Sequence, residues 1–351
     1  MAERIRVDPY GFVSLAGEPE RLAPTPHHRF EGASGRLLCT LTTKTPLFVY
    51  DPRFARSAGG GHEEARFPVR PDGSAFIPGS SLKGVIRSVV EAVEPSCFRF
   101  FSNVYRGKGA TAGLSLEARL PRGFEHCQDH SRLCPACRLF GSVYRDQVVH
   151  AGKVTVSDAV APPGSYEIQP KIILDVLSTP KPEGRPDTYV LRERGNEVRG
   201  RKFYRHRLDG VLTRAGGRRD NQNKTVWPVA PDSVFTFEVG YSDLHESELR
   251  VLLYALALEP GLWHKVGMGK SIGMGSVHIQ IVQWQRIDRS TRYRYLGGGV
   301  SAPLDREALA KQLAVWLRPY RESDAPNLQD LRELWRYDHG YDVRYALPSS
   351  G

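Results

Sequence analysis

Three cysteines stand close together in the chain, Cys127, Cys134 and Cys137, with His126 and His130 beside them. Cys134-x-x-Cys137 is the spacing at which two thiolates on a tight turn grip one side of a tetrahedral zinc ion, and Cys127 offers a third sulfur just upstream. The fourth ligand is open between His130, His126 and the more distant Cys97. A redox pair has the same spacing, but it opens a helix after a strand in a thioredoxin-like unit. The additional ligands around this pair favour zinc instead. No general base sits in the cluster, so the metal is expected to hold structure rather than to catalyse. Cys39 lies on a strand pattern and reads as core.

A second stretch with chemical character runs from His264 to Val277. It holds Gly267, Gly269, Gly273 and Gly275 together with Lys265 and Lys270. Glycine permits positive φ and lets backbone N–H groups approach a partner that a Cβ would hold off. The two lysines point to an anionic partner. Gly269-Lys270-Ser271 is not a P-loop, because the glycine required five positions earlier is His264 and a strand follows where a helix is needed. The dinucleotide fingerprint fails as well, since Gly267-x-Gly269 meets its third glycine one residue too late, at Gly273. Nucleotide hydrolysis drops out. What remains is contact with a phosphate backbone, or a plain glycine turn with solvated lysines.

Two further segments carry cations in useful places. Pro78-Gly79-Ser80-Ser81 precedes a helical stripe of Leu82, Val85, Ile86, Val89, Val90 and Val93. Ser80 or Ser81 can cap that helix, and Lys83 and Arg87, four apart, share one flank near its start. A helix N-terminus with two cations is a seat for phosphate. From Arg185 to Lys224 there are twelve Lys/Arg against five Asp/Glu, interleaved with Tyr189, Phe203, Tyr204 and His206. The densest part, with Arg201, Lys202, Tyr204 and His206, suits a single-stranded nucleic acid, whose bases stack while its phosphates pair. No RNP1 octapeptide is present, so a plain RRM is not supported.

The elements that must hold these residues can be read in outline. Arg36–Thr43, Lys153–Ala159, Ile168–Leu177, Val234–Tyr241 and Val277–Val282 alternate as strands. The stripe after Ser81, Glu246–Leu258 and Asp305–Leu317 read as helices. Residues 1–35 read as an irregular lead-in, and the tail from Pro319 carries no clear pattern. The order strand, helix, strands, then strand, helix, glycine loop, strand predicts an α+β fold of the ferredoxin-like kind with long insertions.

Composition sets the outer bounds. The chain has 351 residues and a net charge of +10, which favours a polyanionic partner such as nucleic acid. No apolar run reaches membrane-spanning length. Met1–Arg6 lacks the apolar core of a secretion signal. The expectation is a cytoplasmic protein with no membrane partner, whose thiols serve metal or packing rather than disulfides.

With the pieces in order, the chain resembles the RAMP superfamily of CRISPR-associated proteins, the backbone subunits of type III effector complexes. Four motifs carry the resemblance: Ile77–Arg87, Cys134-Pro135-Ala136-Cys137-Arg138-Leu139-Phe140-Gly141-Ser142, Gly200–His206, and Gly267–Gly275. Pro9–Val13 and Thr45-Pro46-Leu47 resemble the type III-D branch. The resemblance implies a ferredoxin-like (RRM-like) domain over 36–285, with a zinc segment at about 97–142 and a basic thumb-like hairpin or insertion at about 165–230. A C-terminal extension would cover 286–351. It also implies a subunit that stacks with other effector subunits along a guide (CRISPR) RNA in antiviral defence and holds the guide–target RNA duplex. Ser80, Ser81, Lys83, Arg87 and the Gly267–Gly275 loop would then face guide phosphates. Many such subunits cut target RNA with an Asp after the first strand and a divalent metal, Mg or Mn. Here that position offers Asp51, with His62, Glu63 and Glu64 further on. The usual Gly-x-Asp context is absent, and Asp51-Pro52 serves equally as a turn former. A zinc-stabilised protein-interaction domain that binds no RNA is the alternative outside this class.

Overall fold

Strict alternation along three long strands fixes the frame of the molecule. The computed structural model describes residues 6–26, 28, 30–98, 120–143, 149–175, 190–191, 197–213, 219, 221–295, 298–338 and 342–343. In chain order, the elements that matter for the site begin with β1 (Tyr10–Val13), β2 (Ala33–Thr43), β3 (Ala75–Ile77), α1 (Gly79–Val93) and α2 (Pro135–Phe140). They continue with β4 (Val154–Val156), β5 (Ala159–Ala161), β6 (Arg201–Tyr204), β7 (Val234–Leu244), α3 (Glu246–Ala257) and β8 (Ser276–Arg286). Three helices follow: α4 (Arg289–Arg294), α5 (Arg306–Arg321) and α6 (Pro326–Trp335).

The main sheet is antiparallel in every pairing and runs β8-β2-β7-β5-β3, with β4 also on β7 and the short strand His264–Lys265 on the outer edge of β8. At its centre Cys39 lies opposite Phe237 on one side and Ile281 on the other. Odd residues of β2 and β7 (Leu37, Cys39, Leu41; Phe235, Phe237, Val239, Tyr241) are buried. Their even neighbours look the other way, as the two-residue period of a strand requires. A bulge between Ile281 and Gln283 shifts this parity in β8, so that Trp284 follows Val277, Ile279 and Ile281 into the core. The Trp284 Nε1–H donates to the Tyr241 hydroxyl at 2.8 Å.

Helices α1 and α3 lie side by side over the core face. Their buried residues Leu82, Ile86, Val89, Val90 and Val93, and Leu249, Leu252, Leu253 and Leu256, seal it. Burying each such side chain contributes about 1.5–3 kcal/mol. The chain therefore runs strand, helix, strand, strand, helix, strand, and in space the fourth strand lies beside the first, the first beside the third, and the third beside the second.

The structure revises two outlines drawn from sequence. The lead-in is not irregular throughout, because β1 pairs antiparallel with β6, Tyr10 opposite Tyr204 and Val13 opposite Arg201. The tail from Pro319 is helical in part: α5 runs on to Arg321, and α6 packs on α1 and β1. In the stretch expected to form a basic hairpin or insertion, Val190–Leu191 pairs antiparallel with Glu197–Val198. Ile172–Ile173 and Lys224–Trp227 join Glu63–Arg66 and Ala55–Ser57 in a second, four-stranded sheet. Residues 176–189 (Tyr189 among them), 192–196, 214–218 and 220 of that stretch lie outside the described residues. Among the described residues no helix is long and apolar enough to cross a membrane.

Candidate functional site

The cysteine cluster assembles from two distant segments. Cys97 arrives from the chain just after α1, and Cys134 and Cys137 sit at the start of α2, with Cys127 on the loop before it. All four are buried, and their sulfurs lie within 4.8 Å of one another. Cys97 Sγ is 3.6 Å from both Cys134 Sγ and Cys137 Sγ. Four thiolates about 2.3 Å from a tetrahedral zinc ion would stand roughly 3.8 Å apart, so the spacing fits the ion. Backbone amides support the sulfurs: Cys134 N–H donates to Cys127 Sγ at 3.4 Å, and Cys97 N–H to Cys134 Sγ at 3.5 Å. Hydrogen bonds from Cys127, Cys137 and Cys97 hold the Cys134 thiol well below the usual range. The four sulfurs could hold a metal ion such as zinc. The fourth member is Cys97 and not His130, whose side chain is exposed, nor His126, whose Nε2 meets Ser142 Oγ at 3.1 Å. Sequence spacing left Cys97 as one of three candidates, because thirty positions separate it from Cys127.

Arg87 is engaged with this cluster. Its Nε donates to Glu91 Oε1 at 2.7 Å, its Nη1 to the Gly141 carbonyl at 2.8 Å and its Nη2 to Cys137 Sγ at 3.5 Å. Arg201 closes the network from β6, donating to Glu91 Oε2 at 3.3 Å and to the carbonyls of Ser96 and Cys97 at 2.6 and 3.0 Å. Its guanidinium also lies 4.1 Å from the centre of the Phe98 ring. Both arginine side chains are about nine-tenths buried, with 11% and 10% exposed. Two guanidiniums thus share one carboxylate beside four sulfurs, and their excess charge offsets part of the net −2 that a divalent ion with four thiolates carries.

The glycine loop is closed in the same sense. Lys265 is buried and donates from Nζ to the Met274 carbonyl at 3.0 Å, and Lys270 donates to the Gly267 carbonyl at 2.7 Å. Burial, with Lys270 nearby, lowers the Lys265 ammonium to about 7. The glycines are there for packing as well as for φ. At Gly267 (φ +80°) a Cβ would overlap the Phe48 carbonyl oxygen, and at Gly273 (φ +104°) it would come within 2.7 Å of the Gly210 carbonyl. The Gly269 N-cap (φ +73°) starts a single 3-10 turn, Lys270–Ile272. Both lysines staple the loop to itself instead of presenting their charge.

The remaining expected contacts divide. His206 is fully buried between Ser276 Oγ (2.8 Å) and the Trp263 carbonyl (3.0 Å). Lys202 is half-buried over the Tyr10 ring at 3.8 Å, with Tyr204 at 5.4 Å, and burial lowers its ammonium to about 8. At the start of α1 neither serine makes a cap. The first amide, Gly79 N–H, donates to Asp158 Oδ1 at 2.9 Å, so a carboxylate of the protein already occupies the anion seat. Ser80 is exposed, and Ser81 and Lys83 are partly so. Asp51 N-caps the turn Pro52–Phe54 and is clamped by Arg53, whose Nη2 lies 2.6 Å from Oδ2. The Arg53 side chain and amide hold its carboxyl below the ordinary range. Glu63 pairs with Lys224 at 2.6 Å, Glu64 with Arg56 at 2.8 Å, and His62 Nε2 meets Thr225 Oγ1 at 2.9 Å. The loop after β2 therefore holds carboxylates already matched to cations.

Sequence reasoning missed an aromatic cluster at the edge of the sheet. Trp263 stacks on Tyr337 with ring centres 3.5 Å apart, His278 lies 5.9 Å away, and Lys44 Nζ stands 5.4 Å from the Trp263 ring. The pairing of Val277 with both Thr43 and His264 brings Lys44, Trp263 and His278 together, and the bridge between Leu262 and Arg336 adds Tyr337.

No curated protein matches the chain. A family model does, over residues 40–278, well over half of the length. The match begins inside β2, ends inside β8 and takes in both core helices and the cysteine cluster. The chain belongs to the RAMP superfamily, the CRISPR-associated proteins whose common role is to bind RNA.

Proposed function

We propose that this protein is a guide-RNA-binding backbone subunit of a type III, III-D-like, CRISPR effector complex in antiviral defence, holding the guide RNA and the guide–target duplex in the cytoplasm. The family match over 40–278 carries the reading. The strand order supports it: fourth, first, third, second, with a helix after the first and third strands, is the ferredoxin-like (RRM-like) arrangement. In this reading the four-cysteine cluster takes a structural zinc. The other effector subunits and target RNA are its partners.

A scaffold is favoured over a subunit that cuts target RNA with Mg or Mn. Asp51 would first have to leave Arg53, to which it is bound through both carboxylate oxygens. Purification with its natural partners and sequencing of the RNA that travels with it tests the assignment. Guide RNAs of CRISPR origin are expected, and an RNA-free complex or a random RNA sample would overturn it. In the same complex Asp51→Ala is expected to leave any target-cutting pattern unchanged.

A further inference from the structure

Most cations expected to meet RNA are turned inward, which raises the question of where this chain shows unpaired charge beside aromatic rings. Residues 286–295, Arg-Ile-Asp-Arg-Ser-Thr-Arg-Tyr-Arg-Tyr, hold four arginines and two tyrosines against one aspartate. They lie beyond the end of the family match. The aspartate is spent locally, since Asp288 Oδ1 accepts from the amides of Ser290 and Thr291 at 3.0 and 3.3 Å and caps α4. Arg289 fixes the helix to the sheet: Nη2 donates to Ser242 Oγ at 2.7 Å and Nε to Ser34 Oγ at 3.1 Å, with the Phe30 ring 4.2 Å beneath. What the anchored turn presents to water is Arg292, Arg294, Tyr293 and Tyr295. All four are exposed, and neither Arg292 nor Arg294 makes an ion pair among the described residues. Tyr293 is 75% exposed and Tyr295 66%, the former more than any other exposed large apolar or aromatic side chain described.

We propose that this surface is a second binding site, for single-stranded RNA, in which Tyr293 and Tyr295 stack on bases and Arg292 and Arg294 meet phosphates. It rests on the RNA-binding reading above and places the contact outside the region the family shares. Every base has a π-face, so stacking on tyrosine tolerates any sequence, and a guanidinium can both pair a phosphate and lie on a ring. A rigidly anchored helix lowers the ordering cost of such contacts. Charge complementarity selects RNA over an ordinary protein face, because 286–295 offers positive charge and rings while its one carboxylate, Asp288, caps α4.

The test uses the full-length chain and a fluorescent 20-nucleotide oligouridine, with affinity measured across a salt series. The paired variant Tyr293→Ala/Tyr295→Ala is expected to bind at least about thirtyfold more weakly with the salt slope unchanged, the loss of two stacked bases. Arg292→Ala/Arg294→Ala is expected to flatten the slope by about 1.4, two single-strand phosphate contacts. Both pairs are exposed, so thermal midpoints should match the parent. If the parent binds and both variants bind identically to it, the site is refuted while the RNA-binding reading stands. If RNA binding is unchanged but the variants no longer co-purify with partner subunits, the surface is a protein interface and the proposal falls. If the parent itself binds no RNA, the functional reading fails first.

Discussion

Replacing Arg87 by Leu gives the most direct test of how α1 and the cysteine cluster are coupled. The substitution removes three hydrogen bonds, to Glu91, the Gly141 carbonyl and Cys137 Sγ, and leaves the first two acceptors in a site where Glu91 is 15% exposed. Removing one partner of a buried ion pair costs about 3–5 kcal/mol. Glu91 keeps Arg201 at 3.3 Å, and leucine preserves part of the packing, so the low end applies, about 3 kcal/mol. A second consequence concerns the metal. Groups that hydrogen-bond to ligands typically change metal affinity by about 10–100-fold, and the Arg87 donor to Cys137 is of that kind. The measurement is urea unfolding of the zinc-loaded protein, followed by the rate at which a chelating dye strips the metal. A lower unfolding midpoint with faster metal loss is expected. Arg87→Leu with less than about 1 kcal/mol of lost stability and unchanged metal release would refute the network, and would return Arg87 to the list of groups free to meet RNA.

Other expectations follow from single positions. Metal analysis should show about one zinc per chain in the parent and in His130→Ala, and a clear loss in Cys97→Ser; equal metal in all three would remove Cys97 from the ligand set. Gly267→Ala should cost more than about 2 kcal/mol, from a strained positive φ and overlap with the Phe48 carbonyl, whereas Gly84→Ala on the exposed side of α1, with nothing near its Cβ, should gain about 0.5–1 kcal/mol by urea unfolding. His264 is buried with its Nε2 against the Ala255 carbonyl at 2.9 Å, and burial lowers it to about 4. The folded value lies below the unfolded one of about 6.5, so its contribution is full above pH 6.5 and lost as pH falls toward 4. Comparing pH 7 with pH 4, His264→Gln should show about 3 kcal/mol less loss of stability than the parent, and identical pH profiles would contradict this assignment.

The fold was legible where one physical signal ruled. Two-residue alternation marked the cores of β2, β7 and β8, each of which runs at least three residues further, and the 3.6-residue stripe marked α1 and α3. Each of those elements buries one face, so the pattern is written by the core itself. What failed to show was pairing between distant short pieces. Tyr10–Val13 is four residues long and gains its strand only from Arg201–Tyr204, nearly two hundred positions away. The helix α6 was hidden for a related reason: its buried Leu328, Leu331, Leu334 and Trp335 are diluted by a polar outer face and begin only after Pro326.

Residue type announces charge, while only packing decides whether the charge faces water. Arg87, Arg201, Lys265 and Lys270 sit where sequence placed them, on a helix start, a basic strand and a glycine loop. Each is nevertheless satisfied inside, by Glu91, by carbonyls or by a cysteine sulfur. The glycines beside the lysines explain the second pair. A loop with four positive-φ residues leaves its carbonyls exposed to its own interior, and a long flexible ammonium is the group that can reach them. The two arginines follow from the cysteines in the same way, because buried sulfurs and the carbonyls around them call for a multidentate donor. Local density of Lys and Arg is thus a poor guide to exposed charge in this chain, whereas at 292–295 two arginines and two tyrosines are exposed together.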